Sequence, residues 1–256
     1  MNRLHQRSAG LAASLILMAA TTLPGARPNI VHIIADDLGW NDVGFHGSGI
    51  KTPRLDALAA ESVELERFYV TPICSPTRAG VLTGRYPVRF GIFGRVCSPT
   101  TRHGLPPDEQ TIPELLAGAG YGHRALIGKW HLGHASTKFH PRRHGFTTFY
   151  GHYNGAIDYF SRHRFGTLDW HRDFTAVHED GYSTDLIGRE AAAFIRRHAG
   201  DTPFHLMVTF NAPHSPVQAK AADLRRAGFD PQGPRARNTD AGIARREKAP
   251  EYGEGG

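Results

Sequence analysis

The chain has 256 residues, a formal net charge of +6 and a sequence pI near 9.5. This length allows one large domain with a sizeable core. The basic residues are scattered among acidic ones, and the sequence contains no RNA-recognition, zinc-finger or helix-turn-helix pattern. We therefore expect no nucleic-acid partner, and the positive charge favours an anionic substrate.

The first 26 residues have the pattern of a secretory signal peptide. Arg3 and Arg7 precede GLAASLILMAATTLPGA, an apolar stretch that is rich in small residues and too short for a membrane span. No later run reaches the roughly 20 apolar residues of a transmembrane helix. We predict cleavage around Ala20 to Ala26, a periplasmic or secreted location, and no stable insertion into a membrane.

Strand and helix signals alternate after this leader. The apolar run from Ile30 to Ala35 is typical of a strand buried on both faces of a parallel sheet. Thr52 before Pro53 predicts a helix start, and Thr111 with Glu114 has the spacing of a capping box. A strand in RALIGKW, a helix in DLIGREAAAFIRRH and a strand in TPFHLMVTFNAP follow. This order predicts an α/β fold with a mostly parallel sheet flanked by helices.

Two segments lack this pattern. Residues 134 to 182 are rich in His, Arg, Gly and aromatic residues without clear periodicity, which suggests long loops near the functional edge of the sheet. From Lys220 onward there are few large apolar residues and many charges, Gly and Pro. We therefore predict a divergent, poorly ordered tail over residues 220–256, after a domain that covers residues 28–219.

Polar residues stand where the predicted strands end, and ligands of open α/β sheets bind at the carboxyl ends of the strands. The adjacent carboxylates of Asp36 and Asp37 suit calcium or magnesium, although an Asp-Asp turn that caps a helix has the same sequence. Lys129 and His131, two positions apart on a strand, face the same side. As alternatives, both are surface residues beside Trp130, or His131 and His134 bind zinc, a site that no paired cysteines complete. His214 follows the last strand.

The chain contains two cysteines, Cys74 and Cys97. In an exported protein, two cysteines are first interpreted as a disulfide. This interpretation has to be weighed against the unusual position of Cys74, which precedes a Ser-Pro-Thr-Arg run and a short apolar segment.

The segment CSPTR followed by AGVLTGR resembles the signature of the type I sulfatases, in which the cysteine of C-x-P-x-R is converted to formylglycine; the match runs without a gap from Pro72 to Gly84. PNIVHIIADDLGWNDVG, LIGKWHLGH and NAPHSPVQA resemble further family segments in the same order. HGFTTFYGHYNGAIDYFSRH is most similar to the arylsulfatase B-like group, whose substrates include sulfated amino sugars. The resemblance covers roughly residues 28–219 and implies an alkaline-phosphatase-like fold.

The resemblance also implies roles for individual residues. Asp36, Asp37 and the modified Cys74 would bind calcium, Arg78 would hold the formylglycine, Lys129 would contact the sulfate, His131 would hydrogen-bond the formylglycine hydrate, and His214 would lie near the leaving oxygen. A formylglycine-generating enzyme is then a required partner, and Cys74 is unavailable to pair with Cys97. One hydroxyl of a hydrated aldehyde attacks the sulfur of a small-molecule or glycan sulfate ester and displaces the alcohol. Deprotonation of the other hydroxyl, with His131 as base, then breaks the C–O bond, expels sulfate and restores the aldehyde.

The chain departs from the family pattern after the His214 loop. The Asp-Asn pair and the following lysine that complete the family's metal site are not found there, and NTDAG near Asn238 has the residue types in reversed order. We therefore expect a C-terminally truncated sulfatase, with residues from about Lys220 read in a shifted frame. Two alternatives stay open: a formylglycine-dependent phosphodiesterase or phosphonate hydrolase, and an inactive fragment that only binds anions.

Overall fold

The computed structural model describes residues 27–200 and 202–232. The predicted signal peptide, residues 1–26, lies outside the described residues, as do residues 233–256 of the predicted tail. None of the helices in the described part of the chain has both the length and the hydropathy needed to cross a membrane.

The described residues form eight β-strands and five α-helices. The strands are β1 (Ile30–Asp36), β2 (His123–Lys129), β3 (Thr148–His152), β4 (His163–Arg164), β5 (Thr167–Leu168), β6 (His171–Arg172), β7 (Thr175–Ala176) and β8 (Phe204–Pro213). The helices are α1 (Pro53–Ala60), α2 (Cys74–Thr83), α3 (Ile112–Gly118), α4 (Ser183–His198) and α5 (Ala221–Arg226). Single 3₁₀ turns occupy Trp40–Asp42, Gly44–His46, Pro87–Phe90, Thr137–Phe139 and Pro141–Arg143.

Six strands form one mixed sheet in the order β1-β8-β2-β3-β6-β7. β1, β8, β2 and β3 are parallel to one another, and β6 and β7 add an antiparallel edge next to β3. β4 and β5 form a separate hairpin. The predicted α/β architecture with a mostly parallel sheet is confirmed.

Two apolar cores lie on opposite faces of this sheet, because successive side chains of a strand point to opposite faces. On one face, Ile127 and Leu206 pack with α4 residues such as Phe194. On the other face, Leu126 and Met207 pack with α2 residues such as Leu82. Both central strands are therefore buried on both sides, as long apolar runs predict.

The prediction that β1 is buried on both faces is wrong. β1 is an edge strand, and its burial alternates along the chain: Val31 is 41% and Ile33 is 64% exposed, whereas Asp36 at its end is buried. The run of apolar residues describes the strand itself and does not specify what covers each face.

The predicted helix starts are confirmed at α1 and α3. Pro53 is the first residue of α1, and the Thr111 and Glu114 side chains form the capping box of α3. Two features differ from the predictions: β3 lies inside the segment predicted as loops, and α5 lies inside the segment predicted as a poorly ordered tail. The β-branched and aromatic residues of TTFY would have indicated β3.

Two glycines let three strands approach closely next to the carboxyl edge. Gly128 of β2 faces Gly151 of β3 and Thr209 of β8 in register. A Cβ at Gly128 would lie 2.0 Å from the Thr209 carbonyl oxygen, and a Cβ at Gly151 would lie 2.0 Å from the Gly128 carbonyl oxygen. Both glycines have positive φ, which side chains rarely tolerate. The close approach fixes the end of β2, where Lys129 stands.

Candidate active site

The polar strand ends meet at the carboxyl edge of the sheet, at the first turn of α2. Asp36 ends β1, Lys129 ends β2, and Cys74 is the first residue of α2. Arg78, one helical turn after Cys74, points to the same place, because its guanidinium donates to the Lys129 carbonyl oxygen at 2.7 Å. The structure thus brings together residues that are up to 93 positions apart in the chain.

A buried group of charges forms the centre of the site. The Lys129 ammonium contacts one Asp36 oxygen, and Arg78 Nη2 lies 3.7 Å from the other. All three side chains are at most 6% exposed. Burial lowers the pKa of Lys129, further lowered by the neighbouring Arg78 charge, while Asp36 acts in the opposite direction. One carboxylate is therefore shared by two cations.

Cys74 and His131 are in contact. Cys74 Sγ lies 3.0 Å from His131 Nδ1. Burial lowers the pKa of His131 well below its usual range, and the charges of Lys129 and Arg78 lower it further, so the imidazole is neutral at physiological pH. A neutral imidazole at hydrogen-bond distance from a candidate nucleophile has the geometry of a general base.

Asp37 and His214 form the outer, more exposed part of the site. His214 Nε2 lies 3.6 Å from Asp37 Oδ2, whose side chain is 64% exposed. The Tyr159 hydroxyl contacts the Asn211 and His214 carbonyl oxygens at 2.9 and 2.6 Å, which fixes the loop that carries His214. All seven predicted site residues therefore lie at one edge of the sheet.

Two site residues have a left-handed backbone, Asp37 with φ 60° and His131 with φ 58°. This conformation is uncommon for residues other than glycine, and residues that adopt it are concentrated at functional sites. Asp37 directly follows β1, and His131 lies two residues after the end of β2.

Several residues that hold the site together were not predicted. Ser75 Oγ donates to the His131 carbonyl oxygen at 2.8 Å and accepts from the Cys97 NH at 3.0 Å. Thr209 Oγ1 also donates to the Lys129 carbonyl oxygen. Gly155 abuts the His131 ring, because a Cβ there would lie 2.3 Å from His131 Cε1. Their contacts join distant parts of the chain, and spacing along the sequence contains no signal for them.

Asp169 supports the segment around Tyr153 and Asn154, which lies next to His131. Its buried carboxylate accepts hydrogen bonds from the Tyr153 NH at 2.9 Å and from the Asn154 NH and side-chain amide at 2.7 Å. The His131 NH in turn donates to the Tyr153 carbonyl oxygen at 3.0 Å. Asp169 therefore fixes the segment against which His131 is packed.

The described residues do not provide a complete calcium site. Calcium takes six to eight oxygen ligands, roughly, in proteins. Asp36 and Asp37 offer two carboxylates, and both oxygens of Asp36 already face Lys129 or Arg78. No group of three or more His, Cys, Asp or Glu side chains within residues 27–200 and 202–232 has a metal-binding arrangement. The zinc alternative at His131 and His134 finds no support in this part of the chain for the same reason.

Neither cysteine forms a disulfide. Cys97 is fully buried, and burial raises the pKa of its thiol to about 11. Its thiol is therefore protonated and unreactive, whereas Cys74 stands in the site.

The position of Cys74 fits a formylglycine. Arg78 Nη2 is buried and has no hydrogen-bond partner in the described structure. This leaves a donor close to residue 74 for an added oxygen, which a hydrated aldehyde has and a thiol lacks.

The Sulfatase family model matches residues 28–253, and the chain belongs to this family. The matched range extends beyond residue 219, where the motifs compared above end. The mostly parallel sheet flanked by helices matches the alkaline-phosphatase-like arrangement of the sulfatases, of which the described residues form a part.

Among known proteins, the chain is 38% identical over 208 residues to arylsulfatase J of Mus musculus, covering 78% of this chain and 35% of the relative. It is 36% identical over 239 residues to N-acetylgalactosamine-6-sulfatase of Homo sapiens, covering 85% of this chain and 45% of the relative. The chain thus spans less than half the length of these curated relatives.

Two solved structures are also similar to this chain. The structure of Ps i-CgsB in complex with k-i-k-neocarrahexaose superposes with a TM-score of 0.73 at 36% identity, over 85% of this chain and 51% of that one. BT4656 in complex with its substrate D-glucosamine-2-N,6-O-disulfate has a TM-score of 0.60 at 29% identity, over 74% of this chain and 35% of that one.

Proposed function

We propose that the protein hydrolyses sulfate esters and that Cys74 is converted to formylglycine for this purpose. The observation that carries the proposal is the contact between Cys74 and the neutral His131 in a site that also contains Arg78 and Lys129. Membership of the sulfatase family supports the same reaction.

Each side chain of this site has its own role in the proposed reaction. A formylglycine at position 74 would supply, as its hydrate, the hydroxyl that attacks sulfur. His131 acts as the base at that position, because its imidazole is unprotonated and its Nδ1 lies at hydrogen-bond distance from residue 74. Lys129 and Arg78 stabilise the negative charge of the sulfuryl oxygens. His214, at the exposed side, faces the leaving alcohol.

Calcium belongs to this proposal as a cofactor of the protein, to which this part of the chain contributes Asp36 and Asp37. These two carboxylates would provide oxygen ligands of the kind that calcium prefers. The complete ligand set is not formed by the described residues, so we assign no step of the reaction to the metal.

For the substrate we propose sulfated sugars. Two related proteins are named for N-acetylgalactosamine 6-sulfate or were solved with a glucosamine disulfate as substrate. The net charge of +6 suits an anionic glycan. A periplasmic or secreted location and modification by a formylglycine-generating enzyme complete the proposal.

The decisive experiment combines peptide mass spectrometry with an esterase assay. The protein is co-expressed with a formylglycine-generating enzyme, and the tryptic peptide of residues 68–78 is examined for an aldehyde in place of the Cys74 thiol. Turnover of nitrophenyl sulfate is then compared with that of nitrophenyl phosphate esters. We expect the aldehyde and faster turnover of the sulfate.

Matched cysteine variants are the control. Cys74→Ala should abolish turnover, whereas Cys97→Ala should retain both the aldehyde and the activity. Faster turnover of a phosphodiester would favour the phosphodiesterase alternative. An aldehyde without turnover of any ester would favour the fragment that only binds anions, and an intact Cys74 thiol would contradict the assignment of the nucleophile.

A further inference from the structure

A cavity lies next to the segments that hold His131. It has a volume of about 220 Å³ and is lined by the histidines His134, His140 and His171, the aromatic residues Tyr153 and Phe174, and small residues of the 133–137 turn. Two of its walls continue into the active site. His134 stands three residues after His131, and the Tyr153 carbonyl oxygen accepts from the His131 NH.

The walls of this cavity, which we call the histidine pocket, are flat rings. Phe174 stacks on His140 with 3.8 Å between ring centroids, and Tyr153 contacts His171 at 4.3 Å. Phe174 remains 48% exposed. Such ring faces bind the apolar face of a sugar ring in the same way that they bind other flat apolar surfaces.

Two buried nitrogen atoms of the histidine pocket have no hydrogen-bond partner among the described residues, His134 Nε2 and His171 Nδ1. Unpaired buried polar atoms are costly, so each of them indicates a missing partner. The third histidine of the pocket, His140, has both nitrogens paired: its Nε2 contacts the Asp173 carbonyl oxygen, and its Nδ1 accepts from the Arg142 NH.

The chemistry of these two atoms selects the ligand. His171 Nε2 lies 3.1 Å from the Asp169 carboxylate, which only accepts, so Nε2 carries a proton and Nδ1 is the ring nitrogen without a partner. Burial lowers the pKa of His134, so its ring is neutral, with one nitrogen that donates and one that accepts. A hydroxyl group both donates and accepts and therefore suits either of the two unpaired nitrogens, whereas a sulfate group only accepts.

We propose that the histidine pocket binds a hydroxyl-bearing pyranose ring, the sugar unit next to the sulfated unit of a glycan substrate. The proposal rests on the sulfatase activity proposed above only for the position of the sulfated unit. The pocket itself is a sugar site, in which hydroxyls of the sugar hydrogen-bond to His134 and His171 while Phe174 covers one face of the ring.

A binding experiment tests the pocket without any catalysis. The protein is labelled with ¹⁵N in its histidines, and the imidazole resonances are followed by NMR during titration with methyl β-galactoside and, separately, with sodium sulfate. We expect the sugar to shift the signals of His134 Nε2 and His171 Nδ1 and sulfate to leave them unchanged. The Phe174→Ala variant should lose the shifts, and Phe165→Ala, a 74% exposed aromatic residue outside the pocket, should keep them. No shift with the sugar, or a shift with sulfate instead, would overturn the proposal.

A kinetic experiment tests the link to the active site. Turnover of nitrophenyl sulfate is compared with turnover of a chondroitin 6-sulfate tetrasaccharide. In Phe174→Ala and His134→Phe we expect the ratio of kcat/KM for the tetrasaccharide to that for nitrophenyl sulfate to fall about tenfold. Phe165→Ala should leave both values unchanged. An unchanged ratio in both pocket variants would contradict the link, whereas absence of any sulfatase activity in the wild type would contradict the proposed function and leave the NMR result to decide the sugar site.

Discussion

Ser75 Oγ donates a hydrogen bond of 2.8 Å to the main-chain carbonyl oxygen of His131, and the same oxygen atom of Ser75 accepts from the Cys97 NH at 3.0 Å. This fully buried hydroxyl connects the first turn of α2, which carries Cys74, with the residue that contacts Cys74. The distance between Cys74 and His131 therefore depends on Ser75, which connects the segments that carry them.

Removing this hydroxyl should destabilise the fold. Ser75→Ala leaves a buried NH and a buried carbonyl unpaired, and we expect the free energy of unfolding to fall by roughly 1–3 kcal/mol in urea denaturation. The matched control is Ser62→Ala, at an exposed position whose hydroxyl bonds within α1 and the turn after it. Its effect should stay within about 0.5 kcal/mol. Equal effects of the two substitutions would refute the linking role of Ser75.

Gly128 should tolerate no side chain. Alanine there would place Cβ 2.0 Å from the Thr209 carbonyl oxygen at a φ of 119°, so we expect a loss on the order of 4 kcal/mol or a failure to fold. Gly188 inside α4 has no atom within 4 Å of an added Cβ and no positive φ. Gly188→Ala should therefore raise stability by about 0.5–1 kcal/mol. Thermal unfolding of both variants checks this, and an unchanged midpoint for Gly128→Ala would contradict the close approach of the strands.

Asp169→Asn should loosen the segment that supports His131. Burial alone would raise the pKa of Asp169, but hydrogen bonds from His171, Tyr153 and Asn154 lower it overall. We expect a loss of roughly 2–4 kcal/mol at pH 7, because an amide cannot accept all of these bonds. Because the pKa of Asp169 is lower in the folded chain than in the unfolded chain, the ionised carboxylate stabilises the fold at pH values above the unfolded-state pKa. This stabilisation is lost as the pH falls through the folded-state pKa. The difference between wild type and variant should therefore shrink below about pH 4.

The control for this substitution is Asp108→Asn, at an exposed position. Urea denaturation at pH 7 and pH 3 should show little difference between Asp108→Asn and the wild type. A difference for Asp169→Asn that is the same at both pH values would show that its carboxylate charge contributes nothing to the fold.

Buried histidines should make the protein sensitive to mild acid. Burial is the main cause that lowers the pKa of His205 to about 4, with contributions from His32 and Arg124, and burial also lowers the pKa values of His144 and His152 to about 4. The unfolded chain takes up protons near pH 6.5 and the folded chain does not, so stability is lost as pH falls from about 6.5 to 4. For one histidine, this difference corresponds to roughly 3 kcal/mol.

Unfolding free energies at pH 7 and pH 4.5 test this. His205→Gln retains a polar partner for His32 but does not titrate, so its stability should fall less between the two pH values than that of the wild type. His163→Gln, an exposed position, should leave the pH dependence unchanged. A wild-type protein that is equally stable at both pH values would disprove the sign of the effect.

The exposed face of β1 should contribute little to stability. Ile33 is 64% exposed at the sheet edge, whereas Leu206 on the neighbouring β8 is fully buried. We expect Leu206→Ala to cost roughly 2–5 kcal/mol and Ile33→Ser to stay within about 0.5 kcal/mol. Comparable losses in urea denaturation would mean that a further part of the molecule covers Ile33.

The sequence by itself determined the local features. Short stretches of sequence predict the helix starts at Pro53 and Thr111, the alternation of strands and helices, and the polar residues at the strand ends. Hydrogen bonds at helix starts and apolar periodicity act over only a few residues. The C-x-P-x-R segment also pointed to Cys74 without any structure, because the resemblance to the sulfatase signature lies in one contiguous stretch.

Only the tertiary structure decided the contacts between distant segments. The edge position of β1, the carboxylate of Asp36 shared by Arg78 and Lys129, and the support of His131 by Ser75, Gly155 and Asp169 all depend on which strands become neighbours. Strand order is set by the packing of two apolar cores against a sheet, a property of the whole chain that no spacing within one segment contains. The low pKa of His131 has the same origin, because burial appears only when those segments close around it.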